Sequence, residues 1–297
     1  MNKSTHCGYV AIIGRPNVGK STLLNCLLGQ KITITSRKPQ TTRQRILGVK
    51  TVDAVQIIFL DTPGLHPNTK RAMNRYMNRE ARAAWRDMDV ILFVVDGTHW
   101  DAQDEWVLQQ IKTIDAPVIL VINKIDQVKD RGKLLPYMEE VSQAFKFHKI
   151  VPVSAQSGEQ VNDLEQEIIK CLPESPFYFP ADQVTDRSEQ FMAQEIIREK
   201  LMRNLGQELP YALTTTIVAL KKENKIIRIS AVIWVEKDSQ KGIVIGKGGL
   251  CFKKIGQQAR YDMEKFFARK VFLQLWVKVK SGWSDSERLL KELGLGN

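Results

Sequence analysis

The sequence is short of the features that mark secreted, membrane-spanning or metal-built proteins. Its four cysteines, Cys7, Cys26, Cys171 and Cys251, are scattered, with no C-x-x-C pair and no histidine at metal-ligand spacing. That scatter argues for buried free thiols and against a disulfide framework or a zinc site. Long hydrophobic runs are missing too. The longest, residues 90–95 and 117–122, have the length of strands and cannot cross a bilayer. The first eight residues are polar and lack the apolar core of a signal peptide, so the expected location is cytoplasmic. No tract is of low complexity and no repeat recurs, which excludes a disordered chain and a solenoid. Acidic residues are in deficit, 33 against 44 basic ones, for a net charge of +11. A surplus of that size points to an acidic partner, either nucleic acid or an anionic membrane surface.

What is present describes a folded chain of two parts. Of 297 residues, 43% are hydrophobic and 26% charged, and that length suits two modest domains, each able to build a core. Residues 9–13, 55–60, 90–95, 118–122 and 150–153 read as short β-branched strands. Residues 21–28, 74–85, 134–145 and 161–171 read as amphipathic helices between them. Alternation of this kind implies crossover units and a mainly parallel sheet with helices on both faces. Pro173, Pro176 and Pro180 cannot continue the last helix, so residues 173–186 are expected to be a linker between a domain at 1–172 and another at 187–297. In the second part, a helix at 188–205 precedes strands at 214–220 and 226–235. Two helices, near 239–245 and at 250–267, come before a strand at 271–280 and a short final helix from Ser284.

The first motif is Gly14-Arg15-Pro16-Asn17-Val18-Gly19-Lys20-Ser21, which fits G-x-x-x-x-G-K-[ST] at every fixed position. It follows an apolar strand and opens a helix, the setting in which backbone N–H groups and a helix dipole cradle phosphate. Lys20 is placed to reach the β- and γ-phosphates and Ser21 to ligate Mg²⁺; Thr22 continues the expected nucleotide contacts. Asn123-Lys124-Ile125-Asp126 follows a second apolar strand. A carboxylate at Asp126 accepts from the guanine N1–H and exocyclic amine, neither of which adenine offers in that geometry. Asp61-Thr62-Pro63-Gly64 ends the strand at 55–60, where the carboxylate suits Mg²⁺ and Gly64 suits a γ-phosphate sensor. Ser154-Ala155 after the strand at 150–153 is placed to support the base.

These elements in this order resemble the Ras-like P-loop GTPases. Gln40-Thr41-Thr42-Arg43 and Asp61-Thr62-Pro63-Gly64-Leu65-His66 narrow the resemblance to the TrmE–Era–EngA group. The resemblance implies a slow GTPase using GTP/GDP and Mg²⁺, with Lys20, Thr42, Asp61 and Gly64 as the catalytic set. It adds Thr42 to Ser21 and Asp61 as Mg²⁺ ligands, although sequence alone leaves Thr41 as the competing hydroxyl. Asn17 occupies the position at which relatives with K⁺-dependent activity place a K⁺ ligand. Leu65 stands where Ras-type enzymes carry a water-orienting glutamine, and it completes the expected nucleotide contacts with Thr62 and Pro63. Arg43, Arg45 and His66 are read as solvated switch residues.

Between the two helices of the second part lies Gly246-Lys247-Gly248-Gly249. It is too short for a second phosphate loop, and it fits the G-x-x-G turn with which KH domains clamp a nucleic-acid backbone. The order α-β-β-α-α-β is that of an α+β type II KH fold. Residues 241–280 hold ten basic side chains against Asp262 and Glu264, the footprint of phosphate contact. Ile245, Gly246, Lys247, Gly248, Gly249, Lys253, Lys254 and Arg260 are the expected RNA contacts. Phe252, Phe266, Phe267 and Trp276 are assigned to the core. The resemblance implies small-subunit ribosomal RNA near its 3′ end as the target, a role in small-subunit maturation, and a monomer. Two rivals differ in class. An RNA-binding module with a relic nucleotide site would show damage to one of the site elements, and each is intact. A peripheral anchor on the inner membrane would use basic residues of the helix after Gly64, among them Lys70, Arg71, Arg75, Arg79, Arg82 and Arg86.

Overall fold

The computed structural model describes residues 4–36, 38, 41–64, 72–83, 85, 87–206 and 209–295. Leu65 therefore lies outside the described residues, as do Gln40, His66, Lys70, Arg71 and Arg86. The chain divides into two compact units. The first holds residues up to Thr33, then Thr42–Asn68 and Met77–Asp186; the second holds Ile34–Thr41, Thr69–Tyr76 and Arg187–Asn297.

The first unit is built on a six-stranded sheet. Its strands are β1 (His6–Ile13), β2 (Ile46–Val52), β3 (Val55–Asp61), β4 (Val90–Asp96), β5 (Val118–Asn123) and β6 (Lys149–Pro152), in the order β2-β3-β1-β4-β5-β6. All neighbours run parallel except β2, which is antiparallel to β3 at the edge. Every residue of β4 is buried, as expected for a parallel strand covered on both faces. Helices α2 (Ala72–Ala83), α3 (Ala102–Ile111) and α4 (Leu134–Ser142) contribute to the cluster around Ile91, Phe93 and Val95. Helices α1 (Lys20–Leu28) and α5 (Val161–Cys171) pack against each other and onto the strands.

Residues 173–186 are held along the first unit rather than running free. Cys7 N–H donates to the Pro173 carbonyl, Ser175 N–H to Thr5, and Val49 N–H to Val184. The buried Gln56 side chain accepts from Tyr178 and Phe179 N–H and donates to the Phe179 carbonyl. Prolines remove donors but leave their carbonyls able to accept, so the segment still ties to a strand edge.

The second unit follows the expected order: α6 (Glu189–Asn204), β7 (Leu213–Glu223), β8 (Ile226–Val235), α7 (Asp238–Ile245), α8 (Leu250–Phe267) and β9 (Lys270–Val279), then α9 (Glu287–Glu292). Strand β8 pairs antiparallel with β7 and parallel with β9. Ile227, Ile229, Ile233 and Val271 share one core with Ile197, Val244, Ile255 and Met263, so α6, α7 and α8 cover one face of the sheet. Phe252 and Phe267 pack against that core. Phe266 and Trp276 do not conform to the expected core placement, being 39% and 44% exposed. Trp276 alternates with core-facing Leu275 and Val277 on β9 and so points to the opposite face. Among the described residues no helix is long and apolar enough to cross a membrane.

Candidate functional site

The nucleotide-site elements expected from sequence come together at one end of the first unit's sheet, because each follows the carboxyl end of a strand. Residue 14 follows β1, Asp61 ends β3, Asn123 ends β5, and Ser154 lies just beyond β6. Ligands of open α/β sheets bind in that position, where the strand order reverses about β1.

Gly14 and Gly19 shape the loop. Gly14 has φ +156°, and a Cβ there would stand 2.3 Å from the Val94 carbonyl oxygen; one at Gly19, φ +103°, would stand 2.3 Å from the Asn123 amide nitrogen. The Lys20 ammonium donates to the carbonyls of Gly14 (2.9 Å) and Arg15 (2.8 Å). Burial pushes Lys20 down to about 8, against the pull of Asp61.

Ser21 Oγ and Thr42 Oγ1 lie 2.9 Å apart, and both donate to Asp61 Oδ2, at 2.8 and 3.1 Å. Asp61 is fully buried, its other oxygen has no hydrogen-bond partner, and burial raises its carboxyl. A buried carboxylate oxygen without a partner beside two hydroxyls is a donor set that fits Mg²⁺. Of the two competing threonines, Thr42 is in the cluster, while the Thr41 hydroxyl donates to the Lys38 carbonyl. The segment that carries Thr42 inward takes Arg43 with it: Arg43 is buried at 3% exposed, not solvated as expected, whereas Arg45 is exposed. Thr62 donates to the Ile12 carbonyl, and Gly64 lies close to Pro16, 3.1 Å from where a Cβ would sit. Asn17 is exposed with φ 66°.

Asn123 is a brace. Its amide donates to the Val18 carbonyl (2.8 Å) and accepts from Ala155 N–H (2.9 Å), tying the phosphate loop to the Ser154 loop. Ser154 Oγ donates to Asp126 at 2.6 Å, fixing the carboxylate expected to read guanine. Asn123→Ala should cost about 3 kcal/mol, since it leaves a buried carbonyl and a buried N–H unpaired. Urea unfolding of the nucleotide-free protein measures this; a loss under about 1 kcal/mol would show that the brace is not structural.

Two groups were not singled out from sequence. Asp96 accepts from Lys124 at 2.7 Å and from Thr98 at 2.6 Å. Burial pushes its carboxyl up, but these bonds win and hold it below the ordinary value. Asp104, fully buried on α3, accepts from Arg15 Nε at 2.9 Å, so the Arg15 side chain anchors the loop to α3 and leaves its backbone for phosphate. The capping box of Asp101 and Asp104 was the readable signal.

In the second unit, residues 246–249 connect α7 to α8. Gly246, Gly248 and Gly249 all have positive φ, 71°, 60° and 73°. A Cβ at Gly246 would meet Cys251 at 2.7 Å, whereas at Gly248 and Gly249 nothing lies within 4 Å. The turn is thus closed toward the helix and open outward. Ile245 is half-buried, and Lys247, Lys253, Lys254 and Arg260 are exposed, Arg260 beside Glu264 at 3.8 Å.

A family model described as 50S ribosome-binding GTPase matches residues 9–124, and a KH-domain model matches 208–284. GTPase Era of Coxiella burnetii is 67% identical over 292 residues, covering 98% of this chain and 99% of that relative. The chain belongs to the GTPase Era family. The Era of Haemophilus influenzae is 57% identical over 291 residues, with 98% of this chain and 96% of the relative covered. Two solved Era structures each have 40% identity and a TM-score of 0.95, covering 99% of this chain and 100% of theirs. One is an Aquifex aeolicus variant bound to GDP·AlF4⁻, and the other is in complex with MgGDPNP and nucleotides 1506–1542 of 16S ribosomal RNA. As a member of the Era family, this chain is a GTPase with a C-terminal KH domain.

Proposed function

We propose that GTP binding and hydrolysis in the first unit govern binding of small-subunit ribosomal RNA, near its 3′ end, by the KH unit during small-subunit maturation. The observation that carries this is the joint presence of the intact Lys20–Ser21–Thr42–Asp61 cluster and an outward-open G-x-x-G turn in one chain. The relative solved with MgGDPNP and 16S nucleotides supports the choice of RNA.

At the nucleotide site, backbone N–H groups of residues 14–21 and the Lys20 ammonium hold the β- and γ-phosphates. Ser21, Thr42 and Asp61 would hold Mg²⁺, which neutralises charge on the phosphate oxygens when bound. Water attacks the γ-phosphorus, the bond to the β–γ bridging oxygen breaks, and GDP and phosphate result. Asp126 and Lys124 select guanine, with Ser154 and Ala155 supporting them. Asn17 at the loop's mouth is the proposed K⁺ ligand, with turnover expected to be several-fold faster in K⁺ than in Na⁺. Equal rates in the two salts would remove it.

The governing experiment is fluorescence anisotropy with a single-stranded oligomer copying the small-subunit RNA 3′ end. GTP-analogue, GDP and nucleotide-free forms are compared at fixed salt. Binding is expected to be tightest with the analogue and to fall about 100-fold in Gly248→Asp, which puts a negative charge where phosphate approaches. Equal affinity in all three states would leave two independent modules.

A further inference from the structure

The KH sheet has a second face, and its composition is not that of a merely soluble surface. Residues directly opposite on neighbouring strands share a face, so the pairing fixes the membership of each row. Lys221, Arg228 and Phe272 stand in one row; Thr216, Val232 and Trp276 stand two rows along, where Val232 is covered (4% exposed) and the β9 member is open. Lys278 and Trp234 form the next row. Phe272 and Trp276 are 43% and 44% exposed, although large aromatic rings are costly to leave in water. The Arg228 guanidinium lies over the Phe272 ring, 5.2 Å from its centroid. Across the paired rows the charged residues are Lys221, Arg228, Lys270 and Lys278 against Glu223 alone, which Arg228 Nε meets at 2.8 Å.

We propose that the exposed part of this face, along β9, is a second binding surface for single-stranded RNA. Unpaired bases stack on Trp276 and Phe272, while the exposed Lys278 and Lys221 meet phosphates. Exposed aromatics interleaved with cations on an open sheet are the chemistry of base stacking with backbone tracking. A protein partner is less well matched, because the face carries a one-sided positive charge that a phosphate backbone complements. The surface is separate from the G-x-x-G turn: α7 and α8, which the turn joins, pack on the other side of the sheet. Both helices contact β9, and β9 is an edge strand. A strand leaving the turn therefore reaches the exposed β9 side of that face over a single edge. A KH turn clamps about four nucleotides, so a longer strand needs a surface of this kind.

The proposal rests on RNA being the ligand of the KH unit, and the test separates the two. Anisotropy is measured on the full chain, loaded with GTP analogue, with single-stranded oligomers of about 5 and about 12 nucleotides sharing the segment that the turn binds. Trp276→Ala is expected to weaken the longer oligomer about tenfold and leave the shorter one unchanged, with Trp276→Phe restoring most of the loss. Lys278→Ala should lower the salt dependence of the longer oligomer by about one counterion and leave that of the shorter one alone. If both alanine variants bind the longer oligomer like the parent while Gly248→Asp weakens it, the second surface is refuted and RNA binding by the turn stands. Equal losses on both oligomers would mark a folding effect and refute it as well. Failure of the parent to bind either oligomer would bring down the RNA reading itself. A dimer in sedimentation that Trp276→Ala dissociates would assign the face to a second copy of the chain and overturn the proposal.

Discussion

Replacing Asp126 with asparagine is expected to lower GTP affinity by about 10³-fold and to create affinity for xanthosine triphosphate. Guanine offers two neighbouring donors, N1–H and the exocyclic amine, and a carboxylate accepts both. Asparagine presents one acceptor and one donor, so one of its groups faces a guanine N–H with another N–H. Xanthine carries a carbonyl in place of the amine, and the mismatch becomes a match. Position supports the assignment. Asp126 lies in a tight turn just past β5, reached through Lys124 in a left-handed conformation (φ 67°), and Ser154 fixes its carboxylate at 2.6 Å. Neither anchor depends on the carboxylate's charge, so the variant should fold as the parent does. Direct titration of parent and variant with labelled GTP and with labelled xanthosine triphosphate gives the answer. An unchanged GTP affinity would mean that Asp126 does not read the base.

The nucleotide site was legible because its residues are bound by chemistry to short contiguous motifs. Residues 14–21, 61–64, 123–126 and 154–155 each sit at a strand end, and a parallel sheet gathers strand ends at one edge. What escaped notice depends on distant partners. Strand β2 contains Gly48, a poor strand former, kept because a Cβ there would stand 2.7 Å from Leu28 of α1. Helix α3 hides its period because Asp104 takes a buried position that an apolar residue would usually fill. The choice between Thr41 and Thr42 turns on which hydroxyl faces Asp61, and two adjacent identical residues carry no pattern that decides it. Trp276 alternates correctly for a strand, yet alternation gives two faces and does not say which one is covered.

The same limit applies to the buried charges of α6. Glu195, Arg198, Glu199 and Lys200 are all buried, so that helix has no clear apolar stripe. Their partners explain the burial. Arg198 donates to Glu195 and to the Thr41 carbonyl, Thr35 N–H donates to Glu199, and Lys200 pairs with Glu199 and Asp262. Buried ions persist only when paired and hydrogen-bonded. Here the pairing involves Ile34–Thr41, which belongs to the same unit in space but whose bonds to α6 span 157 and 164 residues of sequence.

Lys20→Met is expected to cut GTP turnover by about 10³-fold while leaving the nucleotide-free protein folded and nearly as stable as the parent. The expected fall follows if the ammonium acts on charge that grows at the γ-phosphate as the bond to the bridging oxygen breaks, since the loop's other cation, Arg15, is held by Asp104. Stability is a different matter. In the structure the ammonium is buried, its hydrogen-bond partners are carbonyls rather than a carboxylate, and burial opposes its charge. Methionine of similar length removes that desolvated charge. Against this stand two loop carbonyls that lose a donor, and Asp61, which loses a favourable field but keeps the Ser21 and Thr42 hydroxyls. These opposing effects should cancel to within about 1 kcal/mol. Single-turnover hydrolysis at saturating GTP and a thermal melt without nucleotide measure the two effects separately. A variant that loses turnover together with more than about 5 °C of Tm would show Lys20 to be a structural residue first; one that keeps its turnover would remove it from the catalytic set.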